Sequence, residues 1–293
     1  MQPMPIRKRR YYFLFFLVIF LLAIPVLMLY TSGYRLDDKF SLVKTGGIYI
    51  SSPGIGAEIY INNRLSKTTN IIQRDFFEQN LTPGNYFVFV YKDGYWPWSK
   101  ELKVREQIVA DAHPFLVPRE PKLEEILATI LSPGKSIVEG EKNPLYENVL
   151  LLFSSKPIPP SAELYTNSAS ATSTITYNKI QLIREKDTIF AKWLGDIDKA
   201  PSYFCDEYKR ECAEKITVFT SSTKIKTFDF YPDRDDVIIL SRKNGIYAIE
   251  ADTRKIQNFN LVYAGSDPDF RIGSDGILYV KDGKTIYKTT LSL

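Results

Sequence analysis

An uncharged apolar run near the N-terminus constrains this chain more than any other feature. Residues 11–30 contain fourteen Leu, Ile, Phe or Val residues and no charged side chain. A helix of about 20 residues rises about 30 Å, which matches the hydrocarbon core of a bilayer. The run therefore predicts a transmembrane helix with the lipid bilayer as its partner. A cleaved secretory signal is the alternative, but its apolar region usually spans only about 7 to 15 residues.

The charges on the two sides of the run predict its orientation. Four consecutive basic residues precede it, whereas the charges between residues 35 and 39 cancel. An excess of Lys and Arg is retained in the cytoplasm. We expect residues 1–10 to be a cytoplasmic tail and residues 31–293 to be extracytoplasmic. The orienting residues are Arg7, Lys8, Arg9 and Arg10.

The rest of the chain is electrically balanced. Of the 38 basic residues, four precede the apolar run. The other 34 are equal in number to the 34 acidic residues of the chain. Binding to a phosphate backbone needs a clustered basic face. We therefore expect no nucleic-acid partner.

After a short tether at residues 31–45, apolar residues alternate with a period of two. This alternation is typical of half-buried β-strands, and Gly, Pro and Asn residues mark turns between the runs. The pattern predicts a small β-sandwich. Its expected strands are residues 48–50, 57–61, 86–91, 101–104 and 107–110.

Three motifs in this region resemble the PEGA domain of bacterial and archaeal surface proteins. They lie at residues 51–62 (SSPGIGAEIYIN), 81–86 (LTPGNY) and 94–99 (GYWPWS). The loop at residues 53–57 is one residue longer than the usual Pro-x-Gly-Ala of the family. The resemblance implies a β-sandwich over residues 46–118 that acts as a binding or spacer module without chemistry of its own.

Tyr95, Trp96 and Trp98 allow two interpretations. They can pack into the core of the sandwich, or they can form an aromatic platform on which a glycan stacks. Trp96 and Trp98 are two residues apart, so a strand would place both on one face. That spacing fits either interpretation.

A Pro-rich and charged stretch at residues 114–124 predicts a linker to a second domain, residues 119–293. Within that domain, residues 123–131 are expected to form a short helix or a strand, and residues 145–153 a strand. Residues 154–176 are rich in Ser, Thr and Pro, which predicts an exposed loop.

From residue 177 onward, short strands separated by hairpin-type turns predict a propeller-like antiparallel β domain. Residues 245–247 and 276–279 resemble one repeated blade element. At about 40 to 50 residues per blade the segment supplies about four blades, so we expect an incomplete propeller. The expected strands are residues 180–183, 188–193, 216–219, 226–230, 237–240, 246–249, 261–263, 277–280 and 286–288.

The sequence contains few motifs or residues of the kinds that catalyse reactions or bind metal ions. His113 is the only histidine, so it cannot build a His-rich zinc site. Residues 132–136 end like a phosphate-binding loop, but Thr129 stands where the first glycine is required and Pro133 lacks an N–H. We expect no catalytic residue, no metal site and no cofactor.

A group of aspartates supports an enzymatic alternative. Paired carboxylates hydrolyse glycosidic bonds, so a glycan-acting envelope enzyme is a competing hypothesis. Because these residues occur in turn-like contexts without metal-loop spacing, we favour solvated turn positions. The residues are Asp229, Asp233, Asp235, Asp236, Asp267 and Asp269.

Cys205 and Cys212 are the only cysteines, and both follow the apolar run. Disulfides persist outside the cytoplasm, so a bridge that closes a hairpin is favoured over free thiols or a metal or redox role. The sequence as a whole predicts a non-enzymatic, single-pass membrane protein that presents β domains to an envelope protein or glycan, and the PEGA resemblance implies a prokaryotic source. An extracytoplasmic sensor or assembly subunit is a further alternative.

Overall fold

The computed structural model is mainly β-structure, as predicted, with two α-helices among the residues that it describes. The chain divides into two compact units: residues 1–90 with 101–114, and residues 91–100 with 115–293. The predicted boundary near residue 119 therefore differs from the structure, because residues 91–100 group with the second unit. The structure describes residues 5–36, 40–51, 54–130, 141–154, 173–206 and 211–291.

Helix α1, Ile6–Thr31, contains the predicted membrane segment. Among the described residues it is the one helix long and apolar enough to cross a membrane, and its apolar stretch is not buried within the protein. The helix starts before the four basic residues, so they form its first turns rather than a separate tail. It ends where the Ser32 N–H donates to Met28 O at 3.0 Å.

The predicted tether contains a short antiparallel pair. Strands β1, Tyr34–Leu36, and β2, Leu42–Lys44, are hydrogen-bonded, with Arg35 opposite Val43. The Arg35 guanidinium also lies 3.7 Å from the centroid of the Tyr30 ring near the end of α1. Regular structure therefore begins directly after the helix.

Two sheets lie in the region expected to be a sandwich, mainly in the first unit, although residues 98–100 of one strand belong to the second unit. The first sheet has the order β6-β3-β9, with β3 and β9 parallel, and the second has the order β5-β4-β7-β8. All five predicted strands are present, and β5 and β6 were not predicted. The strands are β3 (Gly46–Ile50), β4 (Glu58–Ile61), β5 (Arg64–Thr68), β6 (Phe76–Leu81), β7 (Gly84–Tyr91), β8 (Trp98–Val104) and β9 (Val109–Ala112).

Alternating burial explains why these segments form sheets. Ile48 and Ile50 on β3, and Val88 and Val90 on β7, are completely buried, as the period of two requires. Gly46 is confined by its neighbours, because a Cβ there would lie 2.6 Å from Ile108 O and 2.8 Å from Val104 Cγ1. The close approach of β3 to this backbone therefore requires glycine.

The described residues of the second unit form one two-stranded pair, β11 (Thr129–Ile130) with β12 (Glu141–Lys142), and three four-stranded sheets. Their orders are β13-β14-β15-β16, β17-β18-β19-β20 and β10-β23-β22-β21, so the early strand β10 completes the last sheet. The strands are β10 (Glu124–Glu125), β13 (Ser173–Tyr177), β14 (Ile180–Glu185), β15 (Thr188–Trp193), β16 (Lys215–Thr220), β17 (Thr227–Phe230), β18 (Val237–Arg242), β19 (Gly245–Glu250), β20 (Phe259–Ala264), β21 (Asp269–Ile272), β22 (Ile277–Asp282) and β23 (Thr285–Thr290).

All nine strands predicted after residue 177 are present, but the repeat was aligned incorrectly. Gly245 begins the third strand of its sheet, whereas Gly276 immediately precedes the second strand of the next. The true counterpart of Gly245 is Thr285, which begins β23 after a two-residue turn. The shared Gly-Ile pattern misled the alignment because second and third strands both start with apolar residues.

Residues 145–153 form a helix, so the strand predicted there was wrong. Helix α2, Pro144–Ser154, starts with proline at its first position, and the Asn143 side chain accepts a hydrogen bond from the Leu145 N–H at 3.0 Å. These are typical helix-start features. Val149 packs with Ile126, Tyr279 and Ile286 in one cluster, with Tyr146, Leu150 and Phe153 around them.

The predicted linker at residues 114–124 is partly core. Residues 115–117 are buried, and the Trp96 N–H donates to Val117 O at 2.8 Å. Pro-rich composition suggested exposure, but the pairing with residues 94–96 covers this apolar triplet. In the predicted exposed loop, β13 occupies residues from 173 onward. Residues 155–172 and the phosphate-loop lookalike at 132–136 lie outside the described residues.

A buried lysine organises the interior of the second unit. The Lys100 side chain is 3% exposed, and its Nζ lies 3.1 Å from Glu250 Oε2 and 3.3 Å from Asp252 Oδ2. It also donates to the backbone oxygens of Asp252 and Ile256, at 2.8 and 2.9 Å. Asn258 Nδ2 donates to Glu250 Oε2 at 2.8 Å. Every polar atom at the centre of this cluster therefore has a partner.

The pKa shifts of Glu250 and Asp252 show that nearby cations favour the charged forms of both side chains. Burial raises the pKa of Glu250, although Lys100 and Asn258 favour its charged form. Burial also opposes ionisation of Asp252, but the hydrogen bond from Arg254 and the charges of Lys100 and Arg254 outweigh it and lower its pKa. Removing the lysine would take away the ion-pair partner of Glu250, whereas Asp252 would keep its pair with Arg254.

We predict that Lys100→Met lowers the free energy of unfolding by about 3 to 5 kcal/mol, because breaking one side of a buried ion pair leaves an uncompensated charge. Denaturant unfolding of the full chain in detergent measures the change. Lys192→Met, at a half-buried position of β15, is the matched control and should change this energy by less than about 1 kcal/mol. Equal effects of the two substitutions would contradict the prediction.

Candidate functional site

The basic residues before the apolar run sit at the positive end of the α1 dipole. Residues 7–10 are exposed, and the first turn of α1 contains no acidic residue. A helix N-terminus favours acidic side chains and disfavours basic ones. These cations therefore gain no stabilisation from the helix dipole.

The three aromatic residues considered as a glycan platform do not share one surface. Trp98 is 1% exposed and belongs to the core. Trp96 is half-buried, and its Nε1 donates to Leu261 O at 3.1 Å, while Tyr95 has Lys92 Nζ 4.6 Å from its ring centroid. As the structure stands, Trp98 offers no face to a glycan.

Cys205 and Cys212 are joined by a disulfide. The two residues also form an isolated antiparallel bridge, and the Asp206 N–H donates to Glu211 O at 2.8 Å. The bond therefore closes a short hairpin. Residues 207–210 lie outside the described residues.

Four of the six candidate aspartates do not share a contact partner with one another among the described residues. Asp236 pairs with Arg234 at 2.6 Å, and Asp267 with Lys226 at 3.1 Å. Asp235 accepts a hydrogen bond from Asn178 Nδ2 at 2.9 Å. Asp233 is an exposed turn residue with a φ of 58°. Two of these carboxylates thus pair with a cation and a third with an amide.

The structure brings the other two aspartates to a common arginine. Asp269 Oδ1 lies 3.1 Å from Arg271 NH1 and accepts a hydrogen bond from the Thr227 hydroxyl. The same Arg271 charge acts on Asp229. Each aspartate also accepts the N–H of the phenylalanine that follows it, Phe230 or Phe270.

This grouping was missed by the sequence analysis, although a signal for it exists. Asp-Phe occurs on β17 and again on β21, the first strands of two successive sheets. The repeated dipeptide marks equivalent positions in the two sheets. The partners Thr227 and Arg271 could not be assigned, because their contacts depend on how the two strands meet.

The titration of Asp229 is shifted. Burial raises its pKa from the ordinary value of 3.8 to about 6, although the Phe230 N–H and the Arg271 charge favour the ionised form. A carboxylic acid that titrates near 6 can serve as a general acid. Among the described residues, no group of three or more His, Cys, Asp or Glu side chains is placed to hold a metal ion.

Comparison with known proteins does not assign a family. Neither a scan of protein-family models nor a search of curated proteins finds a match to this chain. The PEGA-like and propeller-like identities therefore remain predictions from the sequence motifs.

We predict that Asp229→Asn stabilises the protein at neutral pH. The folded state holds the Asp229 proton more tightly than the unfolded chain, so this group favours folding at low pH and opposes it as pH rises from 3.8 to about 6. Asparagine removes that opposition and can still accept the Phe230 N–H. The free energy of unfolding should rise at pH 7 by up to about 3 kcal/mol and change little near pH 3.

Denaturant unfolding at the two pH values measures this effect. Asp233→Asn, in an exposed turn, is the matched control and should have little effect at either pH. A loss of stability at pH 7 in Asp229→Asn would show that the ionised carboxylate supports the fold, contrary to the prediction.

Proposed function

We propose that this chain is a non-enzymatic, single-pass membrane protein whose N-terminus is cytoplasmic and whose β-rich units act outside the membrane. In that position the two units present surfaces to an envelope protein or glycan. The observation that carries the proposal is α1, whose apolar stretch over Arg7–Thr31 has no protein covering it. Such a surface is unfavourable in water and favourable in lipid.

Two further observations support the orientation. Four cations crowd the N-terminal turns of α1, where the helix dipole disfavours them, and the positive-inside rule explains their presence. The disulfide between Cys205 and Cys212 fits an oxidising compartment better than the cytoplasm. Both observations support an external location for the residues that follow α1.

The absence of enzymatic activity is supported by the contacts of the aspartates. Asp236, Asp267 and Asp269 each pair with a basic side chain, so their charges already have partners. The glycan-acting enzyme is the second candidate, because Asp229 and Asp269 share Arg271 and the pKa of Asp229 is raised to about 6. Hydrolysis of envelope glycans that is lost in both Asp229→Asn and Asp269→Asn would favour that candidate.

We predict that the full chain stays with the membrane fraction after an alkaline wash and that deletion of residues 11–30 releases it. The reason is the large apolar surface of α1, which only lipid or detergent can cover. Fractionation followed by immunoblotting of a C-terminal tag measures the distribution. A washed wild-type chain found in the soluble fraction would contradict membrane anchoring.

The orientation has its own test. Replacing Arg7, Lys8, Arg9 and Arg10 by Ser, together with four Arg residues inserted after Thr31, should reduce the fraction of chains that external protease degrades. The matched control inserts four Gln residues after Thr31 and keeps the native N-terminus, and it should be degraded like the wild type. Equal degradation of all three chains would contradict control by the basic residues.

A further inference from the structure

A cleft in the second unit lies where three connections between strands meet. Its volume is about 490 Å³, within the range of roughly 300 to 1,000 Å³ typical of small-molecule sites. The connections are the one between β16 and β17, the turn between β18 and β19, and the segment after β20. The polar side chains that line it are Ser222, Thr223, Arg242, Lys243, Asn244 and Ser266.

Arg242 is held in the cleft by aromatic rings rather than by an acid. Its guanidinium carbon lies 4.4 Å from the ring centroid of Tyr247, 5.4 Å from that of Phe259 and 5.8 Å from that of Phe219. Tyr247 and Phe259 also stack on each other, with centroids 5.0 Å apart. This packing fixes the plane of the guanidinium before any ligand is present.

One donor of Arg242 has no partner among the residues that the structure describes. Its Nε is buried and has no hydrogen-bond partner among the described residues. A buried donor without a partner is costly, and it costs more on a charged group. By contrast Arg184, which also stacks on a ring, donates to Ile225 O at 3.0 Å. Arg242 also lines the cleft, so the rings hold its guanidinium in place where an acceptor can enter from outside.

The charges around the cleft indicate a ligand with one negative charge. Arg242 and Lys243 contribute two positive charges to the lining. Asp282 is nearby, since its Oδ2 accepts the Ser266 N–H at 3.1 Å, and the charge of Asp267 is already paired with Lys226. The balance is close to one positive charge, which matches a carboxylate better than a phosphate dianion.

We propose that this cleft binds the carboxylate of an acidic sugar, such as a uronic acid residue of an envelope glycan. The Arg242 guanidinium matches a carboxylate as a planar fork of donors, and Lys243 adds a second charge. The hydroxyls of Ser222, Thr223 and Ser266 and the amide of Asn244 can bond to sugar hydroxyls. This proposal specifies the class of glycan that the proposed function involves. Its biological setting rests on that proposed function, whereas binding of the sugar in the cleft does not depend on membrane topology.

The test is calorimetric titration of the full chain in zwitterionic lipid nanodiscs with glucuronate, glucose and glucose 1-phosphate. Glucuronate should bind at least tenfold more tightly than either of the other two. Arg242→Gln should weaken glucuronate binding at least tenfold, and Lys243→Gln should weaken it several-fold. Lys224→Gln removes the same charge from an exposed position outside the lining and should leave binding unchanged.

Arg242→Gln also removes packing against three rings, so circular dichroism melting must show that the variant is folded. Lys243 lies in an exposed turn. If Arg242→Gln does not fold, binding of glucuronate by Lys243→Gln still tests the proposal. Binding of glucose as tight as that of glucuronate, tighter binding of glucose 1-phosphate, or glucuronate binding unchanged in Lys243→Gln would overturn the proposal. Any of these results would leave the membrane anchor untouched, because fractionation tests that separately.

Discussion

The uncovered apolar surface of α1 is the constraint on which the rest of this account depends. At roughly 0.3 to 0.6 kcal/mol per residue, its fourteen Leu, Ile, Phe and Val residues favour insertion by on the order of 4 to 8 kcal/mol. Once the helix lies in a bilayer, the basic residues at its start select the side. In the proposed topology that side is external, which fits the disulfide in the second unit and limits the molecules that the β-rich units can meet.

Local pattern was enough to predict most of the strands. Period-two alternation marked β3, β7 and the strands from β14 to β20, because each buries one face or both. It failed at residues 145–153, where a run of three leucines suits a helix or a strand equally and the decision rests on Pro144 and Asn143. It also missed β13 and β21, which are short and border polar segments.

The contacts between distant segments could not be predicted from the sequence. Lys100 reads as an ordinary polar residue of an alternating strand, yet it is buried against Glu250 and Asp252. The same reason explains the error at residues 115–117, whose burial follows from pairing with Trp96. Composition describes a segment alone, whereas burial depends on what covers it.

The candidate sites also differ in whether they could be predicted from the sequence. The cysteines are neighbours in sequence, so their pairing could be proposed directly. The sequence analysis identified Asp229 and Asp269 as candidate carboxylates. It did not identify Arg271, which the two share, because Arg271 lies on a different strand from Asp229. The cleft around Arg242 was not anticipated at all, because its lining comes from three separate connections and its stacked rings from β16, β19 and β20.

Cysteine labelling tests the orientation most directly. Cys205 and Cys212 are replaced by Ser, and a single cysteine is introduced either at Gln2 or at Lys284. A membrane-impermeant maleimide is then added to intact spheroplasts. The account predicts that Lys284→Cys is labelled at once and that Gln2→Cys is labelled only after the membrane is permeabilised. Labelling of Gln2→Cys in intact spheroplasts, with protection of Lys284→Cys, would contradict the central claim.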